Sequence, residues 1–211
     1  MQSLAQDFSS CSLLRNVSWE TFERLLAELP ETRGVRLKYW RGDLEVVTPS
    51  DEHETQTEML GRCAYVLIEA LQLPVRSVGS TTFRRADLAA GVEPDKSYYI
   101  YNAPLVRRRP INLGVDPPPD LVIEIDVTSS SLNKLAIYAA LGVPEVWLYR
   151  AGRLQIHRFQ QGSYQSSVRS GLFPFVTSAD LQAVLGAAEE EVAIANFRAW
   201  VKRQIEGQQP T

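Results

Sequence analysis

Between Asp120 and Val127 the chain reads Asp-Leu-Val-Ile-Glu-Ile-Asp-Val, the most apolar strand-like stretch in the sequence. Strand side chains alternate faces, so Asp120, Val122, Glu124 and Asp126 share one face. Leu121, Ile123, Ile125 and Val127 share the other, and that aliphatic face has to pack in a core. A strand of this kind belongs in the middle of a sheet. Glu124 and Asp126 then lie about 6–7 Å apart on one face. Half-buried carboxylates at that spacing repel each other and lose hydration. A basic partner, a shared proton or a metal ion has to compensate. The plain alternative is a solvent-exposed face on an antiparallel sheet.

The pattern around this strand sets its context. Ser18 caps a first helix, Trp19 to Leu29, closed by Pro30. Gly34 to Tyr39 and Leu44 to Thr48 alternate about Arg41-Gly42-Asp43, a β-hairpin. Ser50 and Asp51 open a long helix, with Glu54 at capping-box spacing from Asp51. Met59, Leu60, Cys63, Leu67, Ala70 and Leu71 recur at helical spacing along it. Strands are expected at Val75 to Arg84 and, entered through Pro94, at Glu93 to Tyr101. After the acidic strand, Thr128 to Ser131 offer N-caps for a helix Leu132 to Leu141, ended by Gly142. A strand Glu145 to Tyr149 follows. Then come a hairpin, Arg153 to Phe159 and Tyr164 to Val168, and two helices, Ala179 to Leu185 and Glu189 to Ile205. The order predicts an α/β (α+β) fold with a central mixed sheet flanked by helices and added N-terminal and C-terminal hairpins.

At 211 residues the chain suits one domain. The expected layout is a helical extension over residues 1–32, a core over 33–150, and a hairpin with helices over 151–211. A net charge of −3 means that any nucleic-acid contact comes from a local basic patch, because the global field will not steer a polyanion. Cys11 and Cys63 form no CxxC pair, which argues against a zinc site or a disulfide framework. Met1 to Ser12 lacks a basic region followed by an apolar run, so no signal peptide is expected. The longest apolar stretch, Ala64 to Val75, is interrupted by Glu69 and Gln72 and is too short to span a bilayer. A soluble protein of a reducing cytoplasm is the expectation. Walker-type, dinucleotide-binding and G-x-S-x-G motifs are missing from the sequence.

Two further residues stand out. Asp95 follows Pro94 at a strand start, where a turn or cap role would be ordinary. Lys134 lies in the first turn of the helix after the acidic strand, in line with Ile137, Tyr138 and Leu141. That phase aims it back at the strand end, as a salt-bridge partner of Asp126 or as a catalytic lysine.

Pro94-Asp95, the strand bearing Glu124, and Lys134 leading into "YAALGVPEVWLY" together resemble the restriction-endonuclease family of the Uma-two type, within the PD-(D/E)XK nuclease superfamily. The resemblance runs from about Gly34 to Tyr149 and is most specific over Pro119 to Tyr149. It implies a restriction-endonuclease-like core, with Asp95 and Glu124 as metal ligands and Lys134 as the catalytic lysine. In the superfamily's usual pattern the lysine lies two residues after the second acid. Here that position is Asp126, a candidate third ligand. Where the family often has an acid after the Trp strand, this chain has Arg150. The long helix of such nucleases can bring a His or Glu near the metal, which makes His53, Glu54 and Glu58 accessory candidates. Hard carboxylate oxygens suit Mg2+ or Mn2+. Arg84, Arg85 and the run Arg107, Arg108 and Arg109 are candidate phosphate contacts. The expected function is metal-dependent endonuclease cleavage of nucleic acid, DNA first, with a homodimer plausible for duplex cutting. The rival is a non-catalytic nucleic-acid-binding or protein-interaction module that keeps the fold.

Overall fold

Turn chemistry and apolar periodicity divide the chain into eleven strands and five α-helices, with two short 3-10 turns, among the residues that the computed structural model describes, which are 10–29, 34–79, 81–107, 109–126 and 132–207. In chain order they are β1 (Ser10–Leu14), α1 (Trp19–Glu28), β2 (Arg36–Trp40), β3 (Asp43–Thr48), α2 (Asp51–Ala70), β4 (Arg76–Ser77), β5 (Phe83–Arg85), β6 (Ala90–Val92) and β7 (Lys96–Tyr99). Then follow β8 (Leu121–Asp126), α3 (Lys134–Leu141), β9 (Glu145–Arg150), β10 (Arg153–Gln160), β11 (Ser163–Ser167), α4 (Ser178–Leu185) and α5 (Glu190–Glu206).

The fold is mixed α/β, as expected, but it contains two sheets. A five-stranded antiparallel sheet has the order β1-β3-β2-β6-β5. A six-stranded mixed sheet has the order β11-β10-β9-β8-β7-β4, with β8 and β9 parallel across the α3 connection. The expected N-terminal hairpin is therefore part of a sheet of its own. Its turn carries positive φ at Arg41 (50°) and Gly42 (96°), the geometry that matches strand twist in tight hairpins. β1, which sequence pattern did not suggest, pairs along β3.

Two expected strands are each split between the sheets. Val75 to Arg84 breaks where Gly79 takes φ 53° and Thr81 turns back to hydrogen-bond Val78 O, leaving β4 and β5. Glu93 to Tyr101 breaks at Pro94, which has no N–H for a ladder. β6 lies before it in one sheet and β7 after it in the other. Asp95 thus sits where the chain crosses between sheets.

The helices follow their caps. Ser18 accepts from Thr21 N, and Ser50 from His53 N. Because Ser50 is the cap, Glu54 is not its box partner, and it pairs with Arg36 instead. α3 starts at Lys134, capped by Asn133, which accepts from Ala136 N; the caps expected at Thr128 to Ser131 lie outside the described residues. Gly142, at φ 78°, ends it.

Apolar burial then stacks the layers. Leu121, Ile123 and Ile125 of β8 pack with α2, α4 and α5. Val122 on the opposite face packs with Ile137, Tyr138 and Leu141 of α3. Phe22 of α1 stacks on Tyr39 of the five-stranded sheet, 4.9 Å between centroids. Gly91 makes that approach possible: a Cβ there would lie 2.5 Å from two Phe22 ring carbons. Cys63 is core packing, as its helical position suggested; burial pushes its thiol up to about 12. No described helix is long and apolar enough to cross a membrane.

Candidate active site at the junction of two sheets

The site forms because β8, the residue before β7, the first turn of α2, β2 and the start of α3 each bring polar side chains to the seam between the sheets. β8 is buried along its whole length, which removes the exposed-face alternative for Glu124 and Asp126. In register, Lys96 of β7 faces Ile123 of β8, so the chain reaches Asp95 beside the Glu124–Ile125 segment. There Asp95 Oδ2 accepts from Ile125 N at 2.7 Å. The first turn of α2 brings His53, whose Nε2 lies 3.1 Å from the same oxygen. β2, from the other sheet, brings Lys38, and the start of α3 brings Lys134.

Glu124 is the hub. Its exposure is 0%, and those of Asp95, Lys38 and Lys134 are 3%, 2% and 4%. Lys38 Nζ and Lys134 Nζ each stand 3.0 Å from Glu124 Oε2. The Tyr138 hydroxyl, one turn along α3 from Lys134, donates to Glu124 Oε1. Asp126, also buried, lies at the end of the strand. Its Oδ2 accepts from Arg150 Nε at 2.7 Å, and its Oδ1 is 3.8 Å from Lys134 Nζ. Arg36 Nη1 lies 3.2 Å from Asp95 Oδ1 without hydrogen-bond geometry, and its other amino group reaches Glu54.

These contacts set the charge states. Burial alone would raise the Asp95 carboxyl. The His53 hydrogen bond and the charges of Lys38, His53 and Arg36 outweigh it and hold Asp95 well below the usual carboxylate range. Burial opposes ionisation of Glu124 too, and Lys134 and Lys38 overcome it. The lysines part company. Burial, opposed only in part by Glu124, leaves Lys38 below its ordinary value, whereas Glu124 and Asp126 carry Lys134 above its own. Lys134 is the more firmly charged of the two, since it meets two carboxylates.

Of the sequence candidates, Asp95, Glu124, Asp126, Lys134 and His53 come together. Glu54 stands at the rim beside Arg36 and His53 Nδ1. Glu58 does not join them; it is exposed and pairs with Lys96. Among the arginines, Arg84 pairs with Glu23, Arg85 with Asp87 and Arg109 with Asp116, so those three spend their charge on acids. Arg107 is exposed, and Arg108 lies outside the described residues. Sequence reasoning missed Lys38, Arg36, Tyr138 and Arg150. Lys38 alternates with Leu37 and Tyr39 and so reads as a solvent-facing strand lysine. Only the neighbouring sheet buries it.

The sequence matches, over residues 19–189, the family Uma2, described as "Putative restriction endonuclease". The chain belongs to that family. It is also similar to a solved structure described as a "putative nuclease belonging to DUF820" from Anabaena variabilis ATCC 29413. The TM-score is 0.52 at 19% identity, over 76% of this chain and 96% of that one, a likeness that shows the fold. No curated protein matches the sequence.

Asp95 and Glu124 fit a hard divalent ion in donor chemistry. Asp95 Oδ1 is buried and makes no hydrogen bond, an oxygen with acceptor capacity left over. Magnesium is commonly held by one or two carboxylates together with water and a substrate phosphate. The three-carboxylate set expected with Asp126 is not assembled. Among the described residues no group of three His, Cys, Asp or Glu is arranged to hold a metal. Asp126 is turned to Arg150 and Lys134 instead. Of the compensations the sequence left open for close carboxylates, a basic partner is present at each one.

Proposed function

We propose that this protein hydrolyses phosphodiester bonds of nucleic acid, DNA first, as a magnesium- or manganese-dependent endonuclease. The observation that carries the reading is the placement of Asp95, just before β7, on the Ile125 amide beside Glu124 of β8, with Lys134 on Glu124, in a chain of a restriction-endonuclease family.

Asp95 and Glu124 would hold the ion. When bound, it would supply Lewis acidity toward water and the phosphate. The chain's own groups do the positioning. The Ile125 amide and His53 fix Asp95, and the Tyr138 hydroxyl fixes Glu124. Lys134 carries a held positive charge at the strand end, where it can stabilise charge that develops on an attacked phosphate. Arg36 borders both Asp95 and a cavity of about 870 Å³ that Glu54, Ser77, Gly79, Thr82 and Glu93 also line. That cavity is the approach for a phosphate chain.

One observation favours the non-catalytic reading. Both Glu124 oxygens are already occupied by protein groups, and the central side chains are almost wholly buried. A scaffold built from ion pairs would look the same. Cleavage of supercoiled plasmid and of single-stranded DNA, with manganese or chelator, separates the two. Manganese-dependent nicking by wild type that is lost in Asp95→Asn is expected. Absence of cleavage on either substrate, with metal bound, would move the protein to the binding class.

A further inference from the structure

Two ammonium groups converge on one carboxylate oxygen at the centre of the site, Lys38 and Lys134, each 3.0 Å from Glu124 Oε2. One would suffice to balance Glu124. Counting Glu54, which shares Arg36 with Asp95, four carboxylates (Asp95, Glu124, Asp126, Glu54) face four cations (Lys38, Lys134, Arg36, Arg150). The second ammonium on Glu124 already holds the position that an incoming cation would take. A divalent ion at Asp95 and Glu124 would meet both lysines in a region with almost no access to water, where like charges interact strongly.

The four cations are not equally placed to give way. Arg150 holds Asp126 from the rim, Arg36 is shared with Glu54, and Lys134 is held by Asp126 as well as Glu124. Lys38 makes its ion pair with Glu124 and comes from the other sheet, on a flexible four-carbon stem. Among the described residues it is the cation on Glu124 Oε2 with the fewest other carboxylate contacts.

We propose that Lys38 is an internal competitor for the metal: its ammonium holds the cation position on Glu124, and metal enters by displacing it. The proposal rests on the reading of Asp95 and Glu124 as ligands. It makes Lys38 a residue that tunes metal affinity, and it makes this site a weak one that loads only at high metal concentration. Lys134 stays in place when the metal enters.

The test is calorimetric titration of MnCl2 into the full chain, as wild type, Lys38→Met, Lys38→Gln, Lys38→Arg and Glu124→Gln, with circular dichroism to confirm folding. Groups that surround a metal's ligands typically change its affinity by about 10–100-fold. Lys38→Met and Lys38→Gln, which remove the charge, should tighten manganese binding by about that factor. Lys38→Arg, which keeps the charge, should bind no tighter than wild type, and Glu124→Gln should lose binding. Should the methionine variant fail to fold, the glutamine and arginine variants carry the comparison. Unchanged or weaker affinity in the charge-removing variants, or equal tightening in Lys38→Arg, overturns the proposal while leaving the metal site standing. No manganese binding in any of the proteins overturns the metal reading itself, and Lys38's role with it.

Discussion

Replacing Glu124 with glutamine tests the electrostatic core of the site without changing its shape. Glu124 is fully buried, and two buried ammoniums lie 3.0 Å from one of its oxygens. Glutamine fills the same volume but removes the charge, leaving Lys38 beside Lys134 with no carboxylate between them. Breaking a buried pair from one side typically costs about 3–5 kcal/mol, because an uncompensated charge remains. In a chain of this size each kcal/mol moves the melting temperature by about 2–4 °C, so a fall of roughly 6–20 °C is expected. Lys38→Met alone is milder, because Lys134 still neutralises Glu124. Adding Lys38→Met to Glu124→Gln should then recover part of the loss, with a coupling of about 0.5–3 kcal/mol. Urea or thermal unfolding of the four proteins in chelator gives the cycle. A loss below about 1 kcal/mol for Glu124→Gln, or strict additivity, would refute the idea that both lysines share this one carboxylate.

Lys134→Ala should keep manganese binding and lower cleavage per folded molecule by roughly 10²–10⁴-fold, the usual scale of a lost electrostatic or acid–base contribution; wild-type cleavage in that variant sinks the catalytic role. Asp126→Asn should lower the melting temperature in chelator, since Asp126 holds Arg150 and Lys134, and its manganese-induced shift should match that of wild type if Asp126 is no ligand. On the acid side, Asp95 and Glu124 are both held below their unfolded values. Their contribution is therefore fully present above about pH 4–5 and lost as pH falls through the folded values. Lys134, held above its unfolded value, contributes below about pH 10 and loses that contribution as pH rises further. The melting temperature measured from pH 2 to 11 should show a plateau between these limits, and Glu124→Gln should flatten the acid limb.

Much of this arrangement was legible in the sequence where one physical rule dominated. The aliphatic alternation of Asp120 to Val127 called for a core on one face, and Leu121–Asp126 form β8 inside the six-stranded sheet, with Val127 outside the described residues. Ser18, Ser50, Gly142 and the Arg41-Gly42 turn marked element ends through backbone hydrogen-bonding and φ requirements that neighbouring residues cannot change. Misreadings arose where two sheets exchange the chain. Val75 to Arg84 and Glu93 to Tyr101 have continuous strand propensity, and nothing local says that each half pairs with a different partner. Gly79 and Pro94 were the available signals of a break. The site divided the same way. Asp95, Glu124 and Lys134 were visible from strand and helix phase. Lys38 was not, because its burial comes from elements distant in sequence, as in its contact with Glu124, 86 residues away. Asp126, Arg84, Arg85 and Arg109 show the converse limit, since residue type suggests a ligand or a phosphate contact and does not reveal the ion-pair partners that the fold supplies.

The central claim is that Asp95 and Glu124 jointly hold a divalent ion. Crystals soaked in MnCl2 and measured near the manganese absorption edge test it most directly. The account predicts an anomalous peak within ligand distance of both carboxylates, with the Lys38 ammonium withdrawn from Glu124 Oε2 and Lys134 still in place. Asp95 and Glu124 without an anomalous peak at saturating manganese, and with both lysines unmoved, would contradict it.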